Sequence, residues 1–326
     1  SRRECCRVVD QLAGFAPLHL ILGGGEPLWR RDVFDIAGYA RERGIEVELV
    51  TNGTLVDEAM AERIREAGIR RVSVTVDGRD ATTHDTFRGH QGAFHAAVRG
   101  VRLLQRLGLV TQLHTTVSRH NAHELPDILK LAQNLKVRAF HLFLLTPAGC
   151  GLAIKDDQAL GAAEAEEILR WFAERSGDSG VRLEAACAPH YVRLQRQHRD
   201  DGAPEHDANR APVRKNRADG PGCQAGRASC FISHRGEVFA CGYLPIPAGN
   251  LFERSFREIW ETAPIFKELR DAERIHGKCG ICEFHDVCTG CRARAYALTG
   301  DYLDEEPRCI YKPGRSYAES QERSAG

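Results

Sequence analysis

Between Leu18 and Leu145 the apolar positions alternate between two periods. Short runs, LHLIL at Leu18 to Leu22, EVELVT at Glu46 to Thr51, RVSVTV at Arg71 to Val76, Val110 to Val117 and Arg138 to Leu145, have the length and β-branched content of strands. Between them, apolar residues recur every three or four positions, which predicts helices over Arg31 to Arg43, Asp57 to Ala67, Gly92 to Leu107 and Glu124 to Leu135. Gly68 and Gly108 supply stops. A further helix is predicted before this series, over Arg3 to Leu12, and another after it, over Ala162 to Ser176. Strand, helix, strand at this spacing predicts parallel strands joined by right-handed crossovers.

The strands are not apolar throughout. Val72, Val74 and Val76 alternate with Ser73, Thr75 and Asp77, and Gln112, His114 and Thr116 share one face of their strand. Parallel sheets covered by helices on both faces bury hydrophobes on both. One polar face therefore predicts a sheet curled around a ligand-filled lumen. The first strand ends in Gly23-Gly24-Gly25-Glu26-Pro27, where ligands bind in such sheets. Glycines there expose backbone to a ligand, and Glu26 offers an acceptor for an ammonium group.

Charge changes the picture by exclusion. Among 326 residues, 45 basic and 45 acidic side chains leave zero net charge, which does not suggest a nucleic-acid partner. No apolar run reaches the roughly 18 residues of a membrane span, and SRRECCRVVD is not a signal peptide. The expected compartment is the cytoplasm. From Gln195 to Gly222 the chain is charged, rich in Pro and Gly and nearly devoid of hydrophobes, so it reads as a linker. The expected organisation is a sheet domain over residues 1–150, a connecting helix and linker over 151–222, a cysteine-rich domain over 223–313 and a disordered tail over 314–326.

Eight of the twelve cysteines lie in the last third: Cys223, Cys230, Cys241, Cys279, Cys282, Cys288, Cys291 and Cys309. C-x2-C spacing in a large chain without an export signal points to reduced, metal-binding thiols. Zinc and iron–sulfur clusters use the same ligand at similar spacing, so the thiols alone also fit a zinc-binding interaction module. Cys5 and Cys6 are adjacent on a predicted helix, where side chains diverge by about 100°.

Together, GGGEPL, VTNGTL, SVTVDG and the cysteine pattern in which Cys230-Phe231-Ile232 leads to Gly236 and Cys241 resemble the radical S-adenosylmethionine (SAM) superfamily with a C-terminal SPASM domain. The resemblance implies an α/β fold, a partial (β/α)6 barrel lacking its first strand, followed by a small cysteine-rich domain. It implies that Gly24, Gly25 and Glu26 hold the methionyl amino group of SAM, with Asn52, Ser73 and Asp77 at its ribose or carboxylate. It further implies two auxiliary iron–sulfur clusters, one on Cys223, Cys230, Cys241 and Cys291, the other on Cys279, Cys282, Cys288 and Cys309. The radical-generating loop of the family, C-x3-C-x2-C, does not occur in the sequence. With Ser1 as the first residue, the expectation is an N-terminally truncated chain that does not cleave SAM by itself.

HLFLLTPAGCGLAI (His141 to Ile154), CAPHYVRLQRQ (Cys187 to Gln197) and the Cys279 to Cys309 segment resemble the haem-biosynthesis branch of that superfamily. The implied reaction is oxidative decarboxylation of two propionates of Fe-coproporphyrin III to vinyl groups, giving haem b. A ferredoxin or flavodoxin is implied as electron donor. Side-chain removal on didecarboxysirohaem or haem d1 precursors, and maturation of a peptide or sulfatase, are the neighbouring chemistries. Arg88, His114, His141, His190 and Arg193 are available cationic donors for a tetrapyrrole's carboxylates.

Overall fold

The structure is a computed structural model that describes residues 1–177, 179–200 and 222–314. The expected tail from 315 onward, and 201–221 of the expected linker, lie outside these residues. The chain divides into two compact units, residues 1–143 with 179–184, and residues 144–178 with 185–326.

The first unit opens with helix α1 (Arg2–Ala13) and then alternates β1 (His19–Leu22), α2 (Val33–Glu42), β2 (Glu46–Thr51), α3 (Glu58–Glu66) and β3 (Arg71–Thr75). Two helices follow, α4 (Ala81–Arg88) and α5 (Ala93–Arg106), then β4 (Val110–Val117), α6 (Leu125–Asn134) and β5 (Ala139–Leu144). A sixth strand, β6 (Arg182–Ala186), completes a sheet whose spatial order is its sequence order. The β1–β2, β2–β3 and β3–β4 pairs are parallel, with Leu49 opposite Val72 and Val74 opposite Leu113.

The period-2 reading holds in the burial. Val72, Val74, Val76, Leu113, Phe140 and Leu142 are buried on the face packed by helices, where Ile64, Val101, Leu104 and Ile128 meet them in the core. On the opposite face Thr75, His114, His141, Phe143 and Glu184 are only half-buried. Gly53, just past β2, is tightly packed. Its φ is +77°, and a Cβ there would lie 2.8 Å from Val74 Cγ1 and 3.0 Å from Ala97 Cα.

Over residues 14–200 four α-helices or strands escaped the sequence reading, each because its hydrophobic pattern is weak, and within 223–313 the sequence reading placed no elements. Helix α4 (ATTHDTFR) has little apolar stripe and is set by its ends: Asp80 caps the Thr83 amide, and Gly89 closes it in the left-handed region. Strand β6 buries only Leu183 among its five residues, so the sheet has one strand more than expected.

The other two belong to the second unit. Helix α7 (Gly151–Gln158) follows a Gly-rich turn and buries no residue. Helix α9 (His190–Asp200) runs into the stretch expected as linker. It was masked because the side it buries includes His190 and Arg193 as well as Tyr191 and Leu194.

The second unit also contains α8 (Ala162–Glu174) and an antiparallel sheet of β7 (Phe231–Ile232), β8 (Glu237–Phe239) and β9 (Pro247–Asn250). Helices α10 (Phe256–Thr262), α11 (Pro264–Arg270), α12 (Gly277–Gly280) and α13 (Arg292–Thr299) follow. Among the described residues no helix is long and apolar enough to cross a membrane.

Gly53→Ala should destabilise the first unit by about 1–3 kcal/mol, from overpacking plus the positive φ. A urea unfolding midpoint unchanged from the parent would contradict this packing.

Candidate functional site

At the end of β1 the chain turns through Gly23, Gly24 and Gly25 into a one-turn helix, Pro27–Trp29, capped by Glu26. Gly24 has φ +121°, and a Cβ built on it or on Gly25 would meet nothing within 4 Å. Bare backbone thus faces open space, which suits close approach of a ligand's ammonium and carboxylate groups. Glu26 Oε1 accepts from the Leu28 amide (3.1 Å) and Thr51 Oγ1 (2.8 Å), and Oε2 accepts from the Asn52 amide (2.8 Å). The carboxylate therefore ties the β1 turn to the end of β2 and retains acceptor capacity on Oε2. The Asn52 side-chain oxygen is occupied by the Thr54 amide and hydroxyl, at 2.8 and 2.7 Å.

Gly24, Gly25, Glu26 and Asn52 are thus joined in one turn system, whereas Ser73 and Asp77 have other partners. Ser73 is buried and donates to Gln112 Oε1 (3.0 Å). Asp77 is fully buried. Its carboxylate accepts from Arg88 Nε (2.6 Å) and the Thr116 amide (2.7 Å), while its own amide donates to His84 Nδ1 (2.9 Å). Asp77 fastens β3 to β4 and α4, and Arg88 is its counter-ion.

On the half-buried face, His114 packs edge-on against His141 (ring centroids 4.7 Å apart) and beside Phe143 (5.0 Å). Burial pushes His114 down to about 3, and the neighbouring His141 adds to it. Burial also lowers His141, although Glu184 Oε2 stands 3.2 Å from its Nδ1; its Nε2 has no hydrogen-bond partner. At neutral pH these are uncharged imidazoles that can donate or accept hydrogen bonds.

In the second unit the thiols fall into two groups. Cys279, Cys282, Cys288 and Cys309 line one small cavity together with His190, Arg193 and Glu306. Burial raises all four thiols, Cys279 to about 11. They are neutral until a metal's charge draws off their protons. His190 is completely buried, and neither ring nitrogen has a hydrogen-bond partner. Such orphaned polar atoms beside four thiols fit a bound group that supplies acceptors.

The second group gathers about Cys291. Its thiol and that of Cys187 share a hydrogen bond, which lowers Cys291 and raises Cys187. Charge on Cys291 is felt at Cys223, and at Cys241 both Cys223 and Cys291 are felt. Cys230 is different: burial alone raises it, to about 12, with no contribution from another thiol. Cys187 lies within the CAPHYVRLQRQ segment, outside the eight clustered cysteines of the last third. Its signal in sequence is the CAPH that follows β6.

Buried arginines hold both groups. Arg294 Nη1 donates to Glu306 Oε2 (3.0 Å) and Nη2 to the Cys187 carbonyl (2.7 Å). Glu306 Oε2 also accepts from the Cys291 amide (2.8 Å), and the Glu306 amide donates to Cys279 Sγ (3.2 Å). Arg193 Nη2 donates to both carboxylate oxygens of Glu166, at 2.8 and 2.6 Å. Among the described residues no three His, Cys, Asp or Glu side chains converge closely enough to hold a single metal ion.

A half-barrel-type parallel sheet with a glycine turn at the end of its first strand, followed by a thiol-rich unit, defines a class. The family model of the radical SAM superfamily matches residues 2–132, and that of an iron–sulfur cluster-binding domain, SPASM, matches residues 223–292. The chain belongs to the radical SAM superfamily.

Within it, the chain is 46% identical to the AdoMet-dependent heme synthase of Methanosarcina barkeri, over 96% of this chain and 88% of that protein. It is 42% identical to the AdoMet-dependent heme synthase of Nitratidesulfovibrio vulgaris, over 97% of this chain and 85% of that protein. The pre-heme d1 synthase of Dinoroseobacter shibae is 33% identical, over 92% of this chain and 76% of that protein.

Solved structures share the fold. Streptococcus suis SuiB bound to S-adenosylmethionine gives a TM-score of 0.71 at 12% identity, over 95% of this chain and 70% of that one. Native anSMEcpe with bound AdoMet gives 0.65 at 18%, over 98% and 85%.

Asp77→Ala should cost about 2–3 kcal/mol of stability with no ligand present. That is less than the ~3–5 kcal/mol of a fully buried pair, because half-exposed Arg88 can rehydrate. A normal unfolding midpoint combined with weakened SAM binding would instead make Asp77 a ligand contact.

Proposed function

We propose that the chain takes part in the oxidative decarboxylation of two propionates of Fe-coproporphyrin III to vinyl groups, yielding haem b. The observation that carries this reading is the 46% identity to an AdoMet-dependent heme synthase along 96% of the chain. Bound SAM would supply the radical that removes a hydrogen atom from the propionate carbon attached to the ring, β to the carboxylate, and an auxiliary cluster would accept the electron left as carbon dioxide departs. The chain's own residues position and exclude. The turn at Gly24, Gly25 and Glu26 holds the methionyl end of SAM, with Asn52 beside it. Neutral His114 and His141, set beside Phe143, offer hydrogen bonds to propionates and an aromatic surface to the macrocycle without introducing charge into the lumen.

Residues 1–326 contain no C-x3-C-x2-C. We therefore propose that these residues alone do not open SAM, and that three further thiols are needed to start the reaction. A ferredoxin or flavodoxin would supply the reducing electron, in the cytoplasm, where the thiols stay reduced. Removal of other tetrapyrrole side chains is the second reading, favoured by the 33% identity to a pre-heme d1 synthase. The match of residues 223–292 to an iron–sulfur cluster-binding domain, with Cys279, Cys282, Cys288 and Cys309 on one cavity, supports clusters over a zinc site.

Reduced protein carrying an added C-x3-C-x2-C loop, incubated with SAM and Fe-coproporphyrin III, should form haem through a monovinyl intermediate, followed by chromatography. SAM cleavage with the tetrapyrrole unchanged would refute the substrate. The 326-residue chain in the same assay should leave SAM intact.

A further inference from the structure

We propose that Cys187, and not Cys230, is the fourth thiolate of the auxiliary cluster held by Cys223, Cys241 and Cys291. The backbone of Cys187 and its neighbours support this placement. Its thiol is within hydrogen-bond reach of the Cys291 thiol. Its backbone has φ +55°, in the left-handed region that a non-glycine residue adopts at a cost of about 1–3 kcal/mol unless the surroundings impose it. The surroundings do impose it, because the buried guanidinium of Arg294 takes the Cys187 carbonyl at 2.7 Å, and Arg294 lies three residues beyond Cys291. One arginine thus sets the spacing between the two cysteines. Cys230 sits immediately before β7.

The inference rests on the reading that the chain carries auxiliary clusters, and the test separates the two. Iron, sulfide and Mössbauer spectra are measured on the anaerobically reconstituted 326-residue chain and on its Cys187→Ala, Cys187→Ser and Cys230→Ala variants. Parent protein lacking iron and sulfide would refute the cluster reading itself. With clusters in the parent, Cys187→Ala should lose about half the iron or convert one cluster to a three-iron form, while Cys230→Ala keeps the parent spectrum. Cys187→Ser should retain iron with altered spectral parameters, because an alkoxide replaces a thiolate, an effect a merely structural cysteine would not give. Parent-like spectra in both Cys187 variants, or cluster loss in Cys230→Ala alone, would overturn the assignment.

A separate observation concerns the other cavity. His190 is buried, lines the space shared by Cys279, Cys282, Cys288 and Cys309, and has two unpartnered ring nitrogens. We infer that it donates an N–H hydrogen bond to a sulfur of the cluster those thiols hold, which raises that cluster's reduction potential. Redox titration followed by electron paramagnetic resonance should show a lower midpoint potential in His190→Leu at parent iron content, with recovery toward the parent value in His190→Gln. An unchanged potential in His190→Leu, or loss of iron in both variants, would overturn the inference.

Discussion

The ion pair between Arg294 and Glu306 joins the two groups of thiols. Both side chains are buried, and both charges are held by more than each other. The arginine reaches the Cys187 carbonyl, and the carboxylate takes the Cys291 amide and, through its second oxygen, the Arg308 amide. The amide of the same glutamate ends on Cys279. Removing one partner of a buried pair costs about 3–5 kcal/mol, because the other charge is left uncompensated. Here the consequence is also geometric, since the pair relates Cys187 and Cys291 on one side to Cys279 on the other. Arg292 adds to this, with Nη1 donating to the carbonyls of Tyr302 (2.9 Å) and Asp304 (2.5 Å). The loop that carries Cys309 is thereby pinned from beneath.

The first unit uses a single carboxylate in a comparable way. Glu26 caps its own turn and receives donors from the end of β2, so the glycine turn and the second strand end move as one body. That fixes the bare backbone of Gly24 and Gly25 where a ligand can reach it. The sheet contributes through its asymmetry. A valine-rich face is sealed by helices, and the opposite face keeps His114 and His141 neutral by partial burial.

The parallel architecture was legible because strands such as RVSVTV and helices such as α5 carry strong periods of 2 and 3.6. What was missed has a common physical cause. Helix α9 hides His190 and Arg193 on its buried side, so hydropathy reads it as a linker although Arg193 is paired with Glu166. Helix α4 is defined by caps and not by an apolar stripe. At the sites, residue types announced the chemistry, but side-chain partners decided the roles. Asp77 has the position of a ligand contact and the bonding of a structural anchor. Cys230 has family spacing, whereas the place of Cys187 depends on a left-handed backbone and an arginine more than a hundred positions away in sequence.

We propose that two separate groups of buried thiols in the second unit each hold an iron–sulfur cluster. The most direct test is the metal and sulfide content of anaerobically purified, reconstituted 326-residue chain, read with its Mössbauer spectrum. The account predicts a brown protein whose iron and sulfide, about four each per cluster, divide into two distinguishable sites, with no stoichiometric zinc. A colourless protein with stoichiometric zinc after iron-replete expression, or iron filling only one site, would contradict it.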